Sequence, residues 1–126
     1  MQKLLPLLIG IPATAFAFLG LSWFVSPTFA AEALDMALLD GRGLGTQVAD
    51  LGSFFLTLGI CMLLGVFTRN PIWCYSAMML MAIASVGRVL AWLAHGAALT
   101  LDMIAVEVVL VSLLYVASRR FNTSAT

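Results

Sequence analysis

Charge is scarce in this chain: 126 residues include six Lys or Arg, six Asp or Glu and one His, with a formal net charge of zero. Only 10% of residues are charged, where a soluble globular domain has about a quarter. Each shortage closes off a class of function. Nucleic-acid binding needs a basic patch, and the one basic cluster is the Arg119-Arg120 pair, better read as a topology anchor. His95 stands alone in sequence, so no metal site is expected. The two cysteines, Cys61 and Cys74, form no CxxC pair and are read as packing residues on the side where thiols stay reduced. No phosphate-cradling glycine loop, nucleophile elbow or HExxH motif is present, and no cofactor is implied.

What the chain has instead is apolar length. Hydrophobic residues make up 63% and the mean hydropathy is +1.09. A hydrocarbon core of ~30 Å takes about 20 apolar residues per helix. The chain divides into four such runs, at about 4–25, 46–67, 72–94 and 97–117, leaving no room for a soluble domain. The expected fold is all-α: an integral membrane four-helix bundle, one domain over 1–126. Thr28-Phe29-Ala30 before Ala31 would suit a signal-peptide cleavage site. The first apolar run, however, exceeds the roughly 7 to 15 residues of a signal-peptide core, so it is taken as a retained span.

Between the first two spans, residues 27–45 set Glu32, Asp35, Asp40 and Arg42 among apolar residues at helical spacing. That pattern predicts a short interfacial helix, ended by Gly41, Gly43 and Gly45. Lys3, Arg69, Arg119 and Arg120 fall on one side of the four spans, so both termini are expected to be cytoplasmic, N-in and C-in. Trp23, Trp73, Trp92 and Tyr75 fall near span ends, as interfacial rings do.

Against this background three ionisable residues inside the spans stand out: Asp50, Arg88 and Glu107. A charge in hydrocarbon costs at least ~2.5 to 3.5 kcal/mol, so such groups face one another or a wet cavity. At 1.5 Å per residue, Asp50 lies about one turn below the outer end of its span, Arg88 about 10 Å and Glu107 about 15 Å. Asp102 at the outer edge of the fourth span and His95 in the turn before it complete the candidate cluster. Arg88, a cation with a planar fork, is expected to pair with Glu107, Asp50 or both as a buried ion pair, while a remaining acid is protonated or meets His95.

Helix faces extend the pattern. Thr46, Asp50, Ser53 and Thr57 form a polar stripe on the second span that must face protein or water. Beside it Gly45, Gly52 and Gly59 make a small-residue surface for helix contacts. The third span groups Ala77, Ala84, Arg88, Ala91 and His95 on one face, and the fourth turns Thr100, Met103 and Glu107 inward above Leu110 and Leu114. Met78, Met79 and Met81 are read as lipid-facing or gap-filling residues.

Gly87-Arg88-Val89-Leu90, the His95-Gly96 turn and Glu107 together resemble the family of small bacterial membrane proteins called domain of unknown function 4345. The resemblance runs from about Arg42 to Tyr115 and maps the family's glycine-arginine pair, later glycine and final glutamate onto Gly87, Arg88, Gly96 and Glu107. The chain departs from the family at Asp50-Leu51-Gly52-Ser53, where the family has an arginine ahead of a paired glycine; the nearest arginine here is Arg42. The resemblance implies a helical bundle in a bacterial inner membrane, without an established activity.

Three functions fit the sequence. The first is a non-catalytic accessory or structural component of a membrane complex, or a homo-oligomer in membrane lipid. The second is a ligand-binding or transport module, with Arg88, Glu107 and Asp50 around an outward pocket for a lipid head group, a quinone or a small anion. The third is an embedded enzyme acting on a lipid or quinone, with Glu107 as acid/base; no nucleophile or metal set accompanies it, so it ranks last.

Overall fold

The structure, a computed structural model, describes residues 3–125. Its elements are α1 (Leu4–Val25), α2 (Pro27–Ala33), α3 (Gly41–Thr46), a π-helical turn (Gln47–Leu51), α4 (Gly52–Thr68), α5 (Pro71–His95) and α6 (Leu101–Ala125), with no strand among the described residues. The segment from α3 through the π turn to α4 is one continuous rod, Gly41–Thr68. With α1, α5 and α6 it makes four helices long and apolar enough to cross a membrane.

Local chemistry sets the helix ends. The Asn70 side chain accepts the Ile72 N–H at 3.1 Å and Pro71 fills the first position of α5, where a missing N–H costs nothing. Gly96 closes α5 in the left-handed region, φ +72°, and the Ala97 N–H reaches back to the Ala91 carbonyl.

Three boundaries differ from the sequence expectation. The helix after the first span is only Pro27–Ala33, and the stretch 34–40 is not helical: Leu34 ends α2 and Asp35 follows at φ +56°. Gly41, Gly43 and Gly45 therefore do not end a connector helix but begin the next rod. Gly41, at φ +54°, makes the reversal that a Cβ would strain. Finally, α6 starts at Leu101 rather than 97 and continues through the expected tail, because Ser118 and Phe121 are buried. Arg69 stacks over the Phe121 ring at 4.9 Å, and Asn122 donates to the Tyr75 hydroxyl at 3.2 Å.

The helices pack as an up-and-down bundle. The α1/α4 and α5/α6 pairs are the most extensive, α4 lies against α5, and the α1/α6 seam is thinnest. Small residues let α1 and α4 nearly touch. A Cβ on Gly20 would overlap the Leu56 backbone, and one on Gly59 would sit 2.6 Å from the Ala13 carbonyl oxygen and the Ala17 nitrogen. Gly52 faces the Phe24 ring and Trp23, whereas nothing approaches Gly45.

The close-packed core fills the half of the bundle that carries the chain ends: Ile9, Ala13, Met62, Cys74, Ala77, Leu114 and Phe121 are buried together. Met81, grouped above with lipid-facing or gap-filling methionines, belongs to this core at 1% exposure, while Met79 points outward. In the other half Trp23 is sealed under Ala30 and Ala31 of α2, instead of lying at the interface, and its Nε1 has no hydrogen-bond partner among the described residues.

Candidate functional site

Above that core the bundle opens. A half-open cavity of about 250 Å³ lies among all four long helices, with Leu58 and Met81 toward the core and Leu34 of the connector at the other end. Its apolar walls include Phe16, Phe54 and Phe55, with Phe16 stacked on Phe55 (6.1 Å between centroids) and Phe54 edge-on to it (5.1 Å). The only ionisable residues on its lining are Arg88, Asp102 and Glu107.

Arg88 Nε donates to Glu107 Oε1 at 3.0 Å. The late start of α6 makes this pair possible. Counted from Leu101, Glu107 lies about 9 Å along its helix, level with Arg88 at about 10 Å from His95, rather than the about 15 Å that a helix beginning at 97 would give. The pair is not buried as expected. The Glu107 side chain is 11% exposed but that of Arg88 is 35% exposed, because the guanidinium sits on the cavity wall instead of in the packed core. Only one of its five N–H donors is used: the two Nη groups make no hydrogen bond with the described residues.

Two residues expected in the cluster lie elsewhere. Asp50 is exposed and makes no ion pair with the described residues, because of the way its rod is turned. In the π turn, hydrogen bonds run five residues apart, so Gln47 and Gly52 lie nearly one above the other and both are buried. Asp50, two residues before Gly52, is thereby sent to the opposite side. Ser53 and Thr57 are exposed with it, so the polar stripe faces out of the bundle. His95 is exposed in the last turn of α5, away from the cavity lining. Among the described residues no group of His, Cys, Asp or Glu could hold a metal ion, and Cys61 and Cys74 are buried and unlinked.

Gln47 is the residue that sequence reasoning missed. At 5% exposure, its Oε1 accepts the Leu39 N–H at 2.8 Å and its Nε2 donates to the Ala37 carbonyl at 3.0 Å. One side-chain amide thus satisfies two backbone groups of the non-helical connector and holds it on the bundle. An uncharged amide at the mouth of a span was the signal available. The cavity's aromatic residues gave none, since Phe on a membrane helix faces lipid as readily as an interior.

These features define a helical membrane-type bundle with one polar wall in an otherwise apolar interior cavity. Comparison with protein-family models, with curated proteins and with solved structures finds no match to this chain.

Proposed function

We propose that this chain is a small multi-pass membrane protein that holds a neutral, ring-bearing amphiphile in the cavity beside Arg88, without transforming it. The supporting observation is the pairing of spare guanidinium donors with an aromatic wall in one half-open cavity. A ligand with a flat apolar ring and oxygen acceptors, a quinone-like molecule, satisfies both. Two carboxyl groups, of Glu107 and Asp102, accompany the one guanidinium on the lining, which favours a neutral ligand over a small anion. The volume, just below the usual range for small-molecule sites, suits a single ring. Glu107 is tied to Arg88, and no serine, cysteine or histidine lines the cavity, which favours holding over catalysis.

In this reading the four long helices span a bacterial-type inner membrane, in keeping with the resemblance noted from Gly87, Arg88, Gly96 and Glu107. Lys3, Arg69, Arg119 and Arg120 mark the cytoplasmic side, so both termini are cytoplasmic and the cavity lies in the outer half.

Native mass spectrometry of gently extracted protein tests the proposal. Wild type is expected to retain a defined small molecule, which Arg88→Ala and the cavity-filling Val106→Trp both lose while staying helical. Identical ligand-free spectra for all three would refute it. A second reading, an accessory subunit of a membrane complex, is favoured by the outward position of Asp50.

A further inference from the structure

The outward stripe on α3–α4 asks for a partner. Asp50, Ser53 and Thr57 are exposed on one face of the rod, and none of their side chains bonds to another described residue. Several other hydroxyls in the helices differ: Thr14, Thr68, Ser76 and Ser112 each donate to the carbonyl four residues back, the usual means of quieting a hydroxyl in an apolar medium. With Arg69 at the head-group boundary, a hydrocarbon core of ~30 Å reaches back about 20 residues, to roughly residue 48. Asp50 then lies just inside the hydrocarbon, Ser53 deeper, and Thr57 near the middle. An aspartate is too short to snorkel far, so a carboxyl group and two free hydroxyls would face acyl chains, which supply neither a polar partner nor an acceptor.

The occupant follows from where the cations are. In a second copy inserted the same way, Asp50 would meet Asp50 across a twofold axis. The chain's six cations are Lys3, Arg42, Arg69, Arg88, Arg119 and Arg120. Arg88 lines the cavity on Glu107, and Arg42 stands eight residues, about 12 Å, above Asp50. Lys3, Arg69, Arg119 and Arg120 belong to the opposite end. Self-association therefore offers only Arg88 at the depth of Asp50, and that guanidinium is turned onto the cavity wall with Glu107 rather than to the outer face. The uncovered Gly45 beside the stripe leaves room for a helix backbone to come close.

We infer that the Asp50–Ser53–Thr57 face docks a transmembrane helix of a different protein, one carrying a lysine or arginine at the depth of Asp50 in the outer half of the membrane. This inference rests on the membrane-spanning reading proposed above but not on the cavity, so loss of ligand retention and loss of helix docking are distinguishable. The probe is a synthetic Leu-Ala transmembrane helix with one lysine placed about a turn inside one end, beside a twin with leucine at that position. Förster transfer to labelled full-length protein in phosphatidylcholine vesicles reads their association.

The lysine helix is expected to associate about tenfold more tightly than its twin, in keeping with one good polar pair in lipid. Asp50→Asn should abolish that preference, and Asp50→Lys should transfer it to a helix carrying glutamate instead. Both substitutions sit on an exposed side chain without contacts, so the bundle stays folded. Equal association of the two helices would overturn the inference, as would a lysine preference that survives Asp50→Asn. Efficient crosslinking of Ser53→Cys into a homodimer would also overturn it, assigning the face to a second copy.

Discussion

Adding one methyl group at Gly59 should weaken the bundle, while the same change at Gly45 should not. A Cβ at Gly59 would meet the Ala13 oxygen and Ala17 nitrogen at 2.6 Å and the Ala17 Cα at 2.9 Å, all backbone atoms of α1 that cannot swing aside. Ordinary contact begins near 3.4 Å, so α1 and α4 must part by about 0.8 Å. A gap of that size forfeits roughly a quarter to a half of the dispersion energy along the seam, and overpacking of this kind costs about 1–3 kcal/mol. Replacing glycine in a helix returns about 0.5–1 kcal/mol through the backbone. The net expectation for Gly59→Ala is a loss of up to about 2.5 kcal/mol, centred a little above ~1 kcal/mol. At Gly45 nothing lies within 4 Å, so only the backbone gain remains and the variant should match or exceed wild type. Titration of detergent-solubilised protein with SDS, following helix content and the fluorescence of buried Trp23, measures both. A Gly59→Ala protein as stable as wild type, or a Gly45→Ala protein weakened equally, would refute the packing argument.

Three further outcomes follow from the same geometry. Glu107→Gln keeps an oxygen for Arg88 Nε and should cost under about 1 kcal/mol, since the guanidinium is a third exposed and its ion pair is screened accordingly; Glu107→Leu should cost about 2–3 kcal/mol by leaving that cation alone, and a double-mutant cycle with Arg88→Leu separates the two contributions. Gln47→Leu removes both connector hydrogen bonds, with an expected loss of about 1–3 kcal/mol and faster hydrogen exchange at the Leu39 amide, while Gln47→Glu should retain the protection at Leu39 because the acceptor oxygen remains. Phe121→Ala opens a void in the core beside Arg69 and should cost about 3 kcal/mol by the same SDS titration, an effect that a frayed tail would not show.

The sequence made some of this legible for simple reasons. Long apolar runs interrupted by Arg69-Asn70-Pro71 and by His95-Gly96 leave few choices of helix, and the position of Arg88 in the middle of one run flagged it without any structure. Its partner was narrowed to two acids but not chosen, because the depth of Glu107 depends on where α6 begins. That start is set by residues 97–100 staying non-helical, which hydropathy does not register. Gly52 and Gly59 were recognisable as small-residue contacts, yet Gly20, the most closely approached of the glycines on the same α1/α4 seam, was passed over because no periodic partner marked it.

Composition and spacing alone determined the kind of molecule: backbone polar groups in so apolar a chain must be satisfied within helices, and the lengths of the runs fix how many. Rotation was beyond them. The same stripe of Asp50, Ser53 and Thr57 is compatible with facing inward or outward until a packing surface is chosen, and the close seam of Gly52 and Gly59 against α1 makes that choice. A helix has one rotational setting, and the tightest contact takes it. That contact, together with the widened turn at Gln47, put Arg88 and Glu107 on a cavity and Asp50 on the outer face, so that only the tertiary structure separated one expected cluster into a pocket and an exposed stripe.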